Sequence, residues 1–156
     1  MKNLIVIALA ICLVSCGSSK TVRASKKVIK GNWSLSSVDY SKTGSYNVTL
    51  FNDTSKDCFI NSTWEFIPNN NTGTYSITNS NCNTSTRHFV FTIQEVDEDT
   101  GLYDFLLKPT NDKNKSESNQ GFRLKLTTLS DTQMQWQQTV NVDGSPFLIN
   151  MNFIKL

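Results

Sequence analysis

The sequence predicts an all-β protein, an antiparallel up-and-down meander of roughly 8–10 short strands closed into a barrel. Three observations predict it. From Gly31 onward apolar residues recur with a period of two, polar turn clusters separate the runs, and no stretch sustains a helical period.

Gly31–Tyr40 (GNWSLSSVDY) and Tyr46–Phe51 (YNVTLF) read as the first strands, with Asp53–Phe59 (DTSKDCF) as a short helical or turn insertion. Thr63–Ile67 and Gly73–Thr78 follow as a hairpin around Pro68–Thr72. Beyond it, Phe89, Phe91 and Ile93 alternate with polar or solvent-side neighbours, as do Tyr103, Phe105 and Leu107. The same holds for Phe122, Leu124 and Leu126, for Met134 and Trp136, and for Phe147, Ile149, Met151 and Phe153. Lys108–Gln120 is the widest loop, and the seventeen asparagines read as turn and surface residues.

The N-terminus predicts export. Leu4–Val14 is an unbroken apolar run, too short for the ~20 residues that span a bilayer but suited to a signal-peptide core. The tetrapeptide Leu13-Val14-Ser15-Cys16 then resembles a bacterial lipobox. That resemblance implies a signal peptide over residues 1–15, removed to leave Cys16 as the first mature residue, thioether-linked to diacylglycerol and acylated on its amine, for example with palmitate. Gly17-Ser18-Ser19, just after Cys16, contains no acidic residue, which by the same resemblance implies a lipid-anchored protein of the outer membrane. Residues 16–30 then form a tether, in which Gly17–Lys30 has five basic residues and no acid and reads as solvated and flexible. Residues 31–156 form one domain with nine Lys and Arg against thirteen Asp and Glu, a net charge of −4. An acidic body argues against a nucleic-acid partner.

Exported thiols persist as disulfides. With Cys12 in the signal and Cys16 lipidated, only Cys58 and Cys82 remain to pair. A hairpin centred on Asn70 places residues summing to 140 opposite each other, and these two cysteines satisfy that sum. No neighbouring histidine suggests zinc, and no C-x-x-C suggests redox chemistry.

Gly31-Asn32-Trp33, at the head of the first strand, resembles the G-x-W motif of the lipocalins. More closely, the body resembles a bacterial lipocalin-like lipoprotein family in the segments GNWSLSSVDY, NVTLF, STWEFIPNNNTGTYSI, FTIQEVDEDTGLYDFLLKP, QGFRLKL and MQWQQTV. The resemblance implies a barrel whose base Gly31 and Trp33 close, and it carries over no catalytic residue. The lipocalins cover this tryptophan with a late arginine; here Lys155 and Arg123 are the two candidates.

His88 is the lone histidine, with no G-x-S-x-G motif or free cysteine to serve, and reads as a strand-end residue. Asp97-Glu98-Asp99-Thr100-Gly101 resembles part of a calcium loop but lacks the spaced bidentate Glu, and reads as a hairpin tip. No metal, cofactor or catalysis is expected. The aromatics Trp64, Phe66, Tyr75, Phe91, Tyr103, Phe105, Phe122 and Trp136 are the candidate ligand contacts, with Gln138 and Asp104 as polar anchors. The function expected is binding or carriage of a small hydrophobic ligand by a monomer. The alternative is an envelope accessory or hydrolase inhibitor that meets a protein partner through Lys108–Gln120 and the Asn69–Thr72 tip, with a packed barrel.

Overall fold

In the computed structural model, residues 19–97 and 102–156 are described, with side chains described for all of these except 95–97, 102 and 103. The segment expected as a signal peptide, Cys16 and the Glu98–Gly101 part of the calcium-like motif lie outside them.

A helix comes first: α1 (Lys20–Ile29). The stretch expected as a solvated tether is therefore folded from Lys20 onward. Ser19 caps it by accepting from the Val22 backbone N–H at 3.2 Å, and Lys26 and Lys27 in the last turn complement the helix dipole. Its inner face is small, with only Val22, Ser25 and Ile29 buried, which is why no helical period stood out.

Eight strands then form a closed antiparallel ring: β1 (Gly31–Tyr40), β4 (Thr63–Ile67), β5 (Thr72–Ser76), β6 (Thr86–Asp97), β7 (Leu102–Thr110), β8 (Phe122–Leu129), β9 (Gln133–Val142) and β10 (Ser145–Lys155). Consecutive strands pair around the ring, and β1 closes it by pairing with both β4 and β10. Between β1 and β4 the chain makes an excursion that carries β2 (Thr49–Leu50), β3 (Thr54–Ser55) and the short α2 (Lys56–Phe59). The strand expected over Tyr46–Phe51 is thus reduced to two residues, paired with β3 outside the ring. The reason is local: Phe51 and Asn52 take left-handed φ values of 53° and 55°, turning the chain back.

The closed end of the barrel settles which cation covers Trp33. Lys155 Nζ lies 5.0 Å from the Trp33 ring centroid and donates to the Val28 carbonyl at 2.6 Å, while Trp33 Nε1 donates to the Ile29 carbonyl at 2.7 Å. One strand end, the first strand and the helix C-terminus are locked together. Arg123 instead faces outward and pairs with Asp104 at 3.3 Å.

Cys58 and Cys82 are bonded, with Cα atoms 5.8 Å apart, but not for the reason the hairpin arithmetic supplies. The β4–β5 ladder pairs Thr63 with Ser76 and Ile67 with Thr72, so facing numbers sum to one less than expected, and the ladder ends before either cysteine. Cys58 sits in α2 and Cys82 in the loop after β5, so the bond joins the excursion to that loop. Closing a loop of this size contributes about 3.5 kcal/mol by the chain-entropy argument.

Inward side chains fill the ring. Trp33, Trp64, Trp136, Phe66, Phe89, Phe91, Phe105 and Phe153 are buried, and the rings other than Trp33 stack or meet edge to face. Gly73 makes room for them: a Cβ there would lie 2.3 Å from Phe89 Cζ and 2.5 Å from the Glu65 carbonyl. Gly73→Ala should therefore lower stability by about 1–3 kcal/mol through overpacking, read as a reduced urea midpoint with intact secondary structure.

Candidate mouth cleft

The end opposite α1 is the barrel mouth, where β1 ends, β8 begins, β9 ends and β10 begins. The excursion folds over it. Phe51 sits in the opening, its ring 5.3 Å from Phe122, 5.9 Å from Trp64 and 6.5 Å from Trp136. A bulky residue with positive φ is strained by about 1–3 kcal/mol, and here the strain is offset by burial of the ring.

The cover is fastened on one side. Asp53, in the turn between β2 and β3, accepts from the Tyr75 hydroxyl at 2.8 Å and pairs with Arg87 at 2.8 Å (Nε–Oδ2) and 3.2 Å (Nη2–Oδ1). Tyr75 and Arg87 belong to β5 and β6, and the disulfide adds its link next to them. Burial pushes the Tyr75 phenol well above its usual value, helped by the Asp53 carboxylate and the hydrogen bond to it, while Arg87 pulls weakly the other way.

On the other side the cover stands off the wall. A cleft of about 440 Å³ opens there between excursion residues 46–52 and the mouth ends of β8, β9 and β10. Phe51, Phe122, Phe147, Val48, Val140 and Ile149 give it apolar walls, and Gln138, Asn47, Thr49 and Asn52 supply polar groups. Tyr46 lines it too, with its ring 4.8 Å from Phe147 and 5.2 Å from Tyr40. In the ring order β9 lies directly across from β5, so the cleft faces away from the fastening.

Of the aromatics singled out from sequence, Phe122 lines this cleft, and of the polar anchors Gln138 does. Trp64, Phe66, Tyr75, Phe91, Phe105 and Trp136 are packed into the barrel interior, touching one another. Tyr103 pairs with Leu126 across β7 and β8, and its side chain is outside those described. Asp104 points outward to Arg123 and lies off the cleft. His88 is half-buried on β6 between Thr74 and Thr110. Among the described residues no group of His, Cys, Asp and Glu could hold a metal ion. The excursion's contribution, Tyr46 to Asn52, had no signal beyond alternation, which read as a wall strand. Phe147 and Ile149 were visible as inward positions, but nothing marked them as the mouth.

An eight-stranded antiparallel meander ring, with a helix at one end and a cleft at the other, defines a lipocalin-like barrel. A solved structure of a lipocalin-like protein from Bacteroides uniformis shares this fold, with a TM-score of 0.50 and 11% sequence identity over 83% of this chain and 99% of that one. No protein-family model matches the sequence, and no curated protein matches it.

Two outcomes follow from this geometry. Phe51→Ala should cost about 3 kcal/mol and extend the cleft inward, measured as a lower urea midpoint with greater uptake of an apolar fluorescent dye. Tyr75 loses its proton less readily folded than unfolded, so its share of stability is complete below about pH 10 and falls as pH rises past the unfolded value. Tyr75→Phe should flatten that alkaline decline in denaturation curves taken between about pH 9 and 11.

Proposed function

We propose that this chain is a non-catalytic binding protein of the cell envelope, lipid-anchored through Cys16 at the outer membrane, that holds a small, mostly apolar ligand in the mouth cleft. The observation that carries the reading is the cleft itself: its volume of about 440 Å³ falls in the range of small-molecule sites, and apolar walls with a few polar groups suit such a ligand. The lipocalin-like fold supports the same reading, and the lipobox resemblance at Leu13–Cys16 supports the anchor. The ligand sits at the mouth because the interior is occupied by the protein's own rings.

That filled interior also favours a second reading, contact with an envelope protein through the loop of residues 111–121. This loop borders the mouth, where Gln120 accepts from Asn52 at 3.3 Å. The Asn69–Thr72 tip is at the closed end, where Lys26 donates to Asn71 at 2.7 Å, so the two loops form no common surface.

The deciding experiment is solvent extraction of protein purified gently from its own envelope, with mass spectrometry of the extract. The ligand reading expects one apolar compound near one per chain, lost in Val140→Trp, which fills the cleft, and retained in Phe105→Leu, which alters the interior. An empty extract, or a compound retained in Val140→Trp, removes the mouth-cleft reading and turns the search to the loop of residues 111–121.

A further inference from the structure

We propose that the mouth cleft selects an uncharged ligand bearing an amide, ester or alcohol group on an apolar body, and that Gln138 makes the selection. This rests on the reading of the cleft as a ligand site and specifies its chemistry.

The inward face of β9 runs Met134, Trp136, Gln138, Val140, and Gln138 is the polar member of that row. It stands level with Ile149 of β10, which in turn pairs with Tyr40 of β1. Its neighbours on the same strand are committed elsewhere: Gln135 donates to Asn152 at 2.8 Å and Gln137 to Asn150 at 3.0 Å on the outer face. Gln138 is half-buried in the cleft wall and makes no side-chain hydrogen bond among the described residues. A primary amide offers two donors and an acceptor, and one held unpaired against apolar walls is suited to a complementary group on a ligand. Two strands away, the Tyr40 hydroxyl is buried with no partner, its ring against Tyr46 and Phe147 of the lining at 5.2 and 5.4 Å.

Charge points the same way. No residue lining the cleft is a Lys, Arg, His, Asp or Glu. A carboxylate entering it would shed water with no cation to receive it, whereas an amide or hydroxyl exchanges water for Gln138 at little cost. Lys56 is the rival group: its ammonium lies 5.0 Å from the Tyr40 ring centroid, though Lys56 is not part of the lining.

The test compares two probes that differ at the head group, decanamide and decanoate. They are titrated at neutral pH into the ¹⁵N-labelled chain from Gly17 to Leu156, which contains α1 and every strand of the ring. Decanamide is expected to shift the Gln138 side-chain amide and the backbone amides of Val140 and Phe147, and to bind about tenfold more tightly than decanoate by calorimetry. Gln138→Leu should erase that preference, and Gln138→Met gives a second variant without the amide. Lys56→Gln should leave both affinities unchanged. Decanoate binding as tightly or more tightly, and weakening in Lys56→Gln, would overturn the neutral-ligand assignment and keep the cleft as a site. No shift at the mouth with either probe would overturn both the assignment and the function it rests on.

Discussion

An eight-stranded ring encloses about as much space as its own side chains need, and the way this ring is filled constrains everything around it. Trp64 is the centre of that filling. Its ring meets those of Phe51, Phe59, Phe66, Tyr75, Phe89, Trp136 and Phe153 at centroid distances between 4.4 and 6.4 Å. Rings this closely set pack the middle of the barrel with the protein's own side chains. They also join the wall to the cover, because Phe51 and Phe59 come from the excursion and the others from the strands.

The two ends of the barrel are finished differently. At one end, the Lys155 and Trp33 side chains each donate to a carbonyl in the last turn of α1, so the helix C-terminus is tied to the seam between first and last strands. At the other end, the ion pair and the disulfide that fasten the cover lie on one flank. The Tyr75–Asp53–Arg87 cluster and the Cys58–Cys82 bond hold the cover to β5, β6 and the loop between them. The flank over β9 and β10 has apolar contact and open space, and that is where the mouth cleft lies.

The wall of the barrel was legible because alternation is a local property: inward Phe89, Phe91, Phe105, Leu107, Leu124 and Leu126 stand where a period of two puts them. What was not legible depended on contacts across the fold. Helix α1 buries too few apolar residues to show a period and owes its place in part to Lys155, distant in sequence. The segment from Tyr46 to Phe51 alternates like a strand, yet left-handed φ at Phe51 and Asn52 turns it into a cover. Choosing cleft residues by aromatic character selected the core, since a large ring suits a filled interior at least as well as a binding wall. Gln138 was the better clue, as a polar residue in an inward row.

Among the described residues, the turns are made largely without glycine. Asn52, Asn61, Asn71, Asn114 and Asn119 all adopt positive φ, in a chain with seven glycines among 156 residues. Asparagine tolerates that conformation because its short amide can bond to nearby backbone. Unlike glycine, it does not give the unfolded chain a wide choice of alternatives, a difference of up to about 1 kcal/mol per position. Part of the barrel's stability therefore belongs to the denatured chain, which loses less disorder at each asparagine corner than a glycine-cornered chain would.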